Sequence, residues 1–380
     1  MRRSTLSDLI GRPAFPNLTE LELPALESGI NVADGHARYE PSVSQHKIID
    51  RLPELFCQAA ETPVSVLDRE AQRAYLTAVG QHSALTGTEV LSCYSSSVAM
   101  EIFSLALMTC GVRKVALIHP TFDNIPDILT RAGMHLLPVA EDHLLDGTAG
   151  LPAGIEVLFV TTPNNPTGWI LSRDALAHWA RICASRGIIL ALDTSFRGFD
   201  ERSCYDHFSV LAESGCRYVV IEDTGKLWPA LDLKVGFLVF PPDEPLPLRR
   251  VYTEILLGVS PLVLLLVRCF AEDAGEGGFA ELHQFIRSNR DLLRGRLAGA
   301  EIHSPDQASR ISVERIAVPP GMSGTQVSSA LRRRGVHVLP CGQFHWAEPE
   351  AGAQFVRVAL SRPPGLLRAA ADAILGCLRP

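Results

Sequence analysis

The feature that most constrains the fold of this chain is a series of four short apolar runs, separated by helix-like segments. The runs span residues 115–118, 157–160, 188–192 and 218–221, and none of them alternates between apolar and polar residues. Runs of this kind are typical of strands that are buried on both faces of a parallel sheet. A helical pattern at 172–186, opened by the capping residue Ser172, lies between the second and third runs. The alternation predicts an α/β protein with helices on both faces of its sheet.

Polar residues follow these runs at the carboxyl ends of the predicted strands, which is where such sheets bind ligands. The sequence TTPNNPTG follows the second run, DTSF begins at Asp193 after the third, and EDTGK ends at Lys226 after the fourth. Three serines at 95–97 precede a helix that we predict to begin near Val98. Each motif alone has a simpler explanation, since NNPTG suits a turn and an aspartate suits a helix cap. Together they supply an amide, a carboxylate, an amine and a hydroxyl-lined helix start.

Composition limits the class of protein. The chain has 380 residues, 47% of them hydrophobic and 20% charged, which is enough to build a large core. Its net charge is −7 and its longest basic run is 332–334, so we expect no nucleic-acid partner. The apolar run at 261–267 is too short to cross a bilayer, and no signal-peptide core follows the first residues, so we expect a cytoplasmic protein without a membrane anchor. Nine cysteines without a CxxC pair predict neither disulfides nor a metal site.

The order and spacing of these motifs resemble those of the fold type I pyridoxal-phosphate (PLP) enzymes of the aminotransferase class I and II superfamily. Asn165 stands in the N-P-T-G loop, Asp193 and Lys226 follow in the family's order, and Arg357 stands in the strand-like FVRVAL. The resemblance covers residues 45–380 and implies an aspartate aminotransferase-like α/β fold, with a mostly parallel seven-stranded sheet in a large domain and a smaller α+β domain. The division it implies is an arm or lid at 1–45, a PLP-binding domain at 46–250, a connecting helix at 251–285 and a small domain at 286–380.

The resemblance also implies how pyridoxal 5'-phosphate and the substrate are held. Lys226 would bind the cofactor covalently and later move the α-proton of the substrate. Asp193 would keep the pyridine nitrogen protonated, and Asn165 would donate to the phenolic oxygen. Phe122 would stack on the ring. Arg357 would bind the substrate α-carboxylate through its two-pronged guanidinium.

The phosphate group would lie at the helix start. There the amides and hydroxyls of Ser96 and Ser97, together with the helix dipole, favour an anion. Lys234 stands where these enzymes usually carry a phosphate-binding arginine, and it offers a point charge without a fork. Tyr75 is a further candidate for a phosphate contact, made across a subunit interface.

Two departures from the family pattern concern the surroundings of the ring. Asp223 stands where aminotransferases often carry serine, and because a carboxylate would repel the phosphate, we expect it to face the substrate or Lys234. Phe196 stands where a tyrosine usually donates to the phenolic oxygen, which a phenyl ring cannot do. Ser195 is a partial substitute for that tyrosine. These differences predict chemistry other than ordinary transamination.

A narrower resemblance runs nearly the length of the chain. The motifs NVADGHAR, SCYSSSV, HPTFDNI, LDTSFRGFD, EDTGKLWP and QFHWAEP are similar to those of the PLP- and O2-dependent L-arginine oxidases and hydroxylases of natural-product pathways. This resemblance implies a homodimer that converts L-arginine to 4-hydroxy-2-ketoarginine, with 2-ketoarginine as a side product, using PLP and O2 without a metal. The alternatives are an aminotransferase acting on arginine or a related amino acid, a non-catalytic PLP-binding module and a β-lyase.

Acidic and hydroxyl groups of the arm are candidates for holding the substrate guanidinium. They are Glu22 and Asp34, joined by Asp223 and by Thr19 as a neutral partner. A carboxylate binds a guanidinium strongly only when both are desolvated, so we expect the arm to close as a lid. His36 would place or activate the water that adds at the γ-carbon. The simpler explanations are a solvated arm that joins subunits and a histidine that only anchors it.

Overall fold

The computed structural model describes residues 16–146, 150–300 and 302–378, and twelve strands lie among them. They are β1 Ile30–Asn31, β2 Glu89–Cys93, β3 Lys114–His119, β4 His135–Ala140, β5 Val157–Thr161, β6 Ile189–Asp193, β7 Tyr218–Asp223, β8 Gly236–Phe240, β9 Val313–Ala317, β10 Val336–His337, β11 Leu339–Pro340 and β12 Phe355–Ala359. Seven of them form the main sheet in the order β2-β8-β7-β6-β5-β3-β4. Strand β8 runs antiparallel to both of its neighbours, and the remaining pairs are parallel. The predicted α/β fold with a mostly parallel seven-stranded sheet is confirmed.

The four apolar runs form strands β3, β5, β6 and β7 of this sheet. Every residue of β5, β6 and β7 is buried. Since both faces of these strands are removed from water, a continuous apolar run is favoured over an alternating one. Strands β6 and β7 extend past the apolar runs and end on Asp193 and Asp223. Because the two strands are parallel neighbours, their terminal carboxylates lie at the same edge of the sheet.

Sixteen α-helices lie among the described residues, several of them in the connections between strands. They are α1 Leu18–Glu22, α2 Val43–Asp50, α3 Leu52–Glu61, α4 Val64–Ala78, α5 Ala84–Gly87, α6 Ser96–Thr109, α7 Asn124–Arg131, α8 Glu141–Asp146, α9 Arg173–Arg186, α10 His207–Ser214, α11 Leu248–Ile255, α12 Pro261–Asp273, α13 Phe279–Leu297, α14 Gly324–Arg332, α15 Pro349–Gly352 and α16 Pro364–Leu378. Ser95 caps α6 by accepting a hydrogen bond from the N–H of Val98 at 3.3 Å. The predicted cap Ser172 accepts from the N–H of Ala175 at 3.2 Å and begins α9.

A second, antiparallel sheet in the carboxy-terminal part of the chain has the order β11-β12-β9. The single connecting helix expected at 251–285 is divided in the structure. Helix α11 ends at Ile255, α12 begins at Pro261, and a π-helical segment separates α12 from α13. Pro261 begins a helix because its ring suits the first helical position. Gly277 interrupts the regular helix with a φ of 132°, which favours glycine.

Residues 16–45, the described part of the arm, contact this carboxy-terminal part through a strand and a small apolar cluster. Its strand β1 pairs in parallel with β10, and the N–H of Val32 donates to the carbonyl of His337 at 3.0 Å. Leu18 and Ala25 are fully buried in a small apolar cluster, which we call the arm cluster and which also contains Ala33, Leu339, Cys341 and Phe344. The apolar residues of the arm are spaced singly and their partners come from the far end of the chain. For this reason the sequence pattern did not indicate a packed segment.

Among residues 16–146, 150–300 and 302–378, no helix is long and apolar enough to cross a membrane. The same ranges hold no group of three or more His, Cys, Asp or Glu side chains that could bind a metal ion. All nine cysteines are unpaired thiols.

Candidate active site

Lys226 lies just beyond the carboxyl end of β7, beside the last residue of that strand. Its Nζ is 2.7 Å from Asp223 Oδ2, and the same oxygen accepts a hydrogen bond from Ser96 Oγ at 2.9 Å. The backbone N–H of Gly225 donates to Asp223 Oδ1 at 2.8 Å and closes a tight turn. A Cβ on Gly225 would lie 2.6 Å from Cδ of Lys234, so the turn has little room for a side chain.

Asp223, expected to face the substrate or Lys234, pairs directly with Lys226 in the structure. Although burial favours its neutral form, the charge and hydrogen bond of Lys226 hold the pKa of the Asp223 carboxyl below its ordinary value. Lys234 adds a smaller attraction of the same sign. Asp223 is therefore an anion between an ammonium group and the amino end of α6, where the helix dipole also favours negative charge.

Asp193, at the end of β6, is the second carboxylate of this edge and is buried. Ser195 donates to Asp193 Oδ1 through its backbone N–H at 3.0 Å and through its hydroxyl at 2.6 Å. The Ser195 hydroxyl thus donates to Asp193 in the structure. The sequence had predicted that it would partly replace the tyrosine that donates to the phenolic oxygen of the cofactor. Burial raises the pKa of Asp193, and Ser195 and Lys226 oppose that effect. The ring of Phe196 lies 5.3 Å from Lys226 Nζ.

The NNPTG loop follows β5 and places Asn165 beside Arg357. Asn165 Oδ1 accepts a hydrogen bond from Arg357 Nη1 at 3.3 Å, so the nitrogen end of this amide is the end available to a ligand. Glu141 supports the loop, because its Oε1 accepts from Asn164 Nδ2 at 2.6 Å and from Thr167 Oγ1 at 2.5 Å. Burial raises the pKa of Glu141 to about 7. The sequence prediction missed Glu141, although it follows β4 as the other site residues follow their strands.

Arg357, in β12, is 1% exposed and approaches the main sheet from the carboxy-terminal part of the chain. Besides Asn165, its Nη2 donates to Glu22 Oε1 at 3.1 Å and to the carbonyl of Ala33. The guanidinium carbon lies 5.3 Å from the centre of the Phe344 ring. The Nε atom is buried and has no hydrogen-bond partner among the described residues. A buried guanidinium with an unused donor is suited to bind a carboxylate.

The arm brings Glu22 to this region. Glu22 pairs with Arg357, and burial raises the pKa of its carboxyl while Arg357 opposes that effect. Thr19, one turn earlier in α1, is exposed to solvent. Phe122 packs edge-on against Phe344, with the ring centres 5.8 Å apart, next to the arm cluster.

Asp34 binds cations of its own chain rather than facing Arg357. Its Oδ2 lies 3.1 Å from Arg38 Nε and 3.2 Å from Arg362 Nη2. Although burial favours its neutral form, His36, Arg362 and Arg38 hold the pKa of the Asp34 carboxyl below its ordinary value. His36 Nδ1 lies 3.3 Å from Asp34 Oδ1, and its Nε2 lies 3.1 Å from Lys234 Nζ. A substrate guanidinium would have to displace these partners to reach Asp34.

The serine triplet lies where β8 meets the amino end of α6. A Cβ on Gly236 would lie 2.4 Å from the carbonyl carbon of Ser95, so strand and helix end approach closely there. Ser96 is part-buried and directs its hydroxyl to the site. Ser97 is exposed, and its Oγ accepts a hydrogen bond from Asn124 Nδ2 at 3.1 Å. The structure thus separates the two serines that the sequence predicted to act together.

A buried ion pair behind the site was not recognised from the sequence. Arg197 and Glu222 are both fully buried, with Nη2 and Oε1 2.9 Å apart. Tyr75 donates from its hydroxyl to Glu222 Oε2 at 3.2 Å, so it bonds within its own chain, although the sequence suggested a phosphate contact across subunits. Arg197 Nη1 lies 2.6 Å from His207 Nδ1, and burial and Arg197 lower the pKa of His207 well below its ordinary value. The sequence did offer a signal for this network, because Arg197 directly follows the motif DTSF and Glu222 begins the motif EDTGK.

Residues 56–374 match the model of the aminotransferase class I and II family. The chain belongs to that family. A probable N-succinyldiaminopimelate aminotransferase, DapC, of Mycobacterium tuberculosis is 26% identical over 284 residues, which cover 70% of this chain and 68% of DapC. A solved structure of MppP soaked with the product 2-ketoarginine is 52% identical, has a TM-score of 0.88, and covers 92% of this chain and 99% of MppP. An aspartate aminotransferase of Thermus thermophilus with maleate has a TM-score of 0.78 at 16% identity over 100% of both chains, which shows the shared fold.

The cofactor of the aminotransferase class I and II family is pyridoxal 5'-phosphate, as the sequence predicted, and the residues around Lys226 fit it. Lys226 would bind its aldehyde. Asp193, whose buried carboxyl lies at the end of β6, would face the pyridine nitrogen, and the cationic ring would add a partner for this carboxyl, whose pKa burial raises. The amino end of α6 and Lys234 would face the phosphate. When bound, PLP supplies an electron sink for negative charge at the α-carbon of the substrate.

Proposed function

We propose that this chain oxidises L-arginine with O2 and releases 4-hydroxy-2-ketoarginine, with 2-ketoarginine as a side product. The observation that carries the proposal is the 52% identity to MppP over 92% of this chain, because 2-ketoarginine is named as the product in the MppP structure. A keto acid that keeps the guanidinium is what remains when the α-amino group of arginine is oxidised away. The predicted setting is the biosynthesis of guanidino natural products.

The proposed reaction uses O2 as its electron acceptor. Formation of 2-ketoarginine transfers an electron pair from the substrate to O2, which becomes hydrogen peroxide, and water releases the amino group as ammonia. The hydroxylated product needs a second oxidation by O2, and the oxygen of its new hydroxyl group comes from water. Neither product requires a keto-acid acceptor. Transamination does require one, and this difference separates the two reactions.

Lys226 is the residue that would move the α-proton of the substrate. A proton-transfer group has to lie within hydrogen-bond reach of the reacting atom, and Lys226 carries its amine to the edge of the sheet where ligands bind. Asp223, 2.7 Å from that amine, would serve as its counter-charge when the amine is protonated. His36 would place the water that adds at the γ-carbon, since an imidazole can donate and accept through its two nitrogens.

Arg357 and Glu22 would bind the two ends of the substrate. Arg357 binds the α-carboxylate with its fork, and Glu22, released by that exchange, receives the guanidinium. In the structure Arg357 and Glu22 pair with each other at 3.1 Å. Arg357 thus already binds a carboxylate, as it would in the substrate complex, and Glu22 already binds a guanidinium. Because arginine carries both charges, it can replace this ion pair without leaving either buried group unpaired, which would be costly.

The test supplies the purified holoenzyme with L-arginine and O2 and omits any keto-acid acceptor. Oxygen uptake, peroxide and the two keto acids are measured in the same reaction, and Lys226→Ala serves as the inactive control. We expect oxygen uptake with formation of both keto acids. If arginine is added and no oxygen is consumed, the proposal is wrong.

A second candidate function is transamination of arginine or a related amino acid. The observation that favours it is the family itself, since relatives such as DapC of Mycobacterium tuberculosis are named as aminotransferases. The same assay distinguishes the two functions when a keto-acid acceptor is added. Transamination moves the amino group to the acceptor and consumes no oxygen, whereas oxidation releases ammonia and peroxide.

A further inference from the structure

Asp123 stands at the capping position of α7 but does not cap that helix. An aspartate at this position usually accepts a hydrogen bond from a backbone N–H in the first turn of its own helix. Here the backbone of Asp123 is itself helical, with φ of −64° and ψ of −22°, and its side chain makes no such bond. Instead its Oδ2 accepts the N–H of Leu18 at 2.7 Å, from the first residue of α1 in the arm. The carboxylate is thus diverted from its local role to the arm.

The second oxygen of Asp123 is buried without a partner. The residue is 6% exposed, and its Oδ1 has no hydrogen-bond donor among the described residues. A buried carboxylate oxygen without a donor costs free energy, and native proteins retain few such groups without a reason. The acceptor is therefore suited to a ligand that brings its own N–H groups.

The surroundings of Asp123 place it beside the groups proposed to hold the substrate. It follows Phe122, next to the arm cluster. The charged groups that act on it are Asp127 of its own helix, Glu22 of the arm and Arg357 of β12. Burial, Asp127 and Glu22 raise the pKa of Asp123 to about 7, and Arg357 and the Leu18 N–H oppose them. Asp123 and Glu22 are thus two carboxyls that share one buried region with a single arginine.

The other carboxylates expected to hold a guanidinium are already engaged. Asp34 pairs with Arg38 and Arg362, and Asp223 pairs with Lys226. A guanidinium presents several N–H donors in a plane and is best satisfied by more than one acceptor. Among residues 16–146, 150–300 and 302–378, no group donates a hydrogen bond to Asp123 Oδ1.

We propose that Asp123 is a specificity-determining residue, which accepts an N–H of the substrate guanidinium through Oδ1 while Oδ2 holds the amino end of α1. This inference rests on the proposed oxidation of arginine. Because one carboxylate makes both contacts, binding of the guanidinium and closure of the arm are coupled. The cation keeps Asp123 ionised, and an ionised carboxylate binds the amino end of a helix more strongly than a neutral one.

The test compares Asp123→Asn with wild type and with Asp174→Asn, which removes an exposed carboxylate from the first turn of α9. The amide of Asp123→Asn can still accept the N–H of Leu18 but has lost the charge that selects a cation. Dissociation constants for L-arginine and for L-citrulline, its neutral near-isostere, are measured without O2 by the absorbance of the bound cofactor. We expect the preference for arginine to fall about 10- to 100-fold in Asp123→Asn, as for loss of a charged hydrogen bond, and to stay near wild type in Asp174→Asn.

A purely structural role for Asp123 gives a different result. It would weaken the binding of arginine and citrulline by equal factors, and that outcome would overturn the inference, as would an unchanged preference. If Asp123→Asn fails to fold, the same ratio is measured for Asp123→Ser, which keeps a hydroxyl near Leu18. If wild type prefers arginine and consumes O2 while Asp123→Asn keeps that preference, only the inference fails. If wild type shows no preference for arginine, the proposed function fails with it.

Discussion

Glu22 and Asp34 are two carboxylates of one arm in opposite situations. Glu22 has Arg357 as its ion-pair partner and sits at the site, whereas Asp34 holds Arg38 and Arg362. If the substrate guanidinium replaces Arg357 as the partner of Glu22, then Glu22 affects substrate specificity. Asp34 keeps its partners within the chain and therefore affects stability. Substitutions at the two positions should therefore have different consequences.

Glu22→Gln is expected to raise KM for L-arginine about tenfold more than KM for L-citrulline. The reason is that the variant loses the charge proposed to face the guanidinium but keeps a side chain of the same shape. Steady-state oxygen uptake with each substrate provides the measurement. Equal effects on both substrates would show that Glu22 does not bind the guanidinium.

Asp34→Asn is expected to lower stability rather than selectivity. The change leaves Arg362, which is 1% exposed, with a neutral partner in place of an anion, at a cost of about 3 kcal/mol. Thermal melting of the holoenzyme provides the measurement, and the ratio of KM values for arginine and citrulline is the control. A variant that melts like wild type but loses its preference for arginine would contradict this assignment.

His36→Ala tests whether the arm histidine governs the addition of water. Its ring lies between Asp34 and Lys234. We expect oxygen uptake to continue while the product shifts from 4-hydroxy-2-ketoarginine towards 2-ketoarginine, as measured by mass spectrometry. His46→Ala, at an exposed position of α2, is the matched control. An unchanged product ratio would leave His36 with an anchoring role alone.

At the scale of secondary-structure elements, the buried pair of Arg197 and Glu222 joins the segment after β6 to the end of β7. Arg197 directly follows Phe196, and Glu222 directly precedes Asp223, so the pair ties together the two segments that carry the site. Its hydrogen bonds to Tyr75 and His207 satisfy further polar groups in the same buried region. A buried ion pair stabilises a fold only while both partners are present.

Glu222→Gln is therefore expected to destabilise the holoenzyme by about 3–5 kcal/mol, because Arg197 would remain charged and buried without an anion. The midpoint of denaturant unfolding provides the measurement. Glu54→Gln, in the exposed pair with Arg51 on α3, is the control and should have no measurable effect. Similar losses in the two variants would mean that burial does not matter at Glu222.

Glu141 links pH to the stability of the NNPTG loop. Its pKa of about 7 in the folded protein lies above the ordinary value of 4.5, because burial disfavours the anion. A raised folded-state pKa adds stability that is fully present below the ordinary pKa and is lost as the pH rises through about 7. Relative to Glu141→Gln, wild type should thus lose about 2–3 kcal/mol between about pH 5 and pH 8. Melting curves of the two proteins that stay parallel across this range would contradict the assignment.

At the scale of the whole molecule, large apolar side chains lie exposed on three consecutive helices. Val43 on α2 is 78% exposed, Phe56 on α3 is 63% exposed, and Val64 on α4 is 50% exposed. Large apolar side chains that are exposed to water are candidates for contacts between subunits. These three residues are therefore where we test the predicted homodimer.

We expect light scattering to give about twice the chain mass of 41.3 kDa for the holoenzyme. Phe56→Asp should shift this mass towards that of the monomer, because it introduces a charge into the apolar surface. Leu145→Ser, on α8 near the edge strand β4, removes another exposed apolar side chain and is the control. A wild-type protein that stays monomeric at all concentrations would refute the dimer.

The apolar runs and the residues that follow them were enough to predict four strands of the main sheet and the groups at its carboxyl edge. Short apolar runs that alternate with helical patterns are typical of strands covered on both faces, and the residues that follow such strands lie at the ligand-binding edge. Asp193, Lys226 and Asn165 could be predicted for that reason, since their positions depend on local pattern and spacing. The family motifs added the cofactor.

Which charged groups meet in the folded chain could not be predicted from the sequence. The partners Glu22 and Arg357, Asp123 and Leu18, and Arg197 and Glu222 lie 335, 105 and 25 residues apart. No local pattern specifies such pairs, because they form when the arm, the main sheet and the carboxy-terminal sheet pack together. The same packing buried Leu18 and Ala25 of the arm, engaged Asp34 with Arg38 and Arg362, and left one oxygen of Asp123 without a donor among the described residues. Burial and charge pairing depend on the whole fold, and they distinguish a binding carboxylate from a structural one.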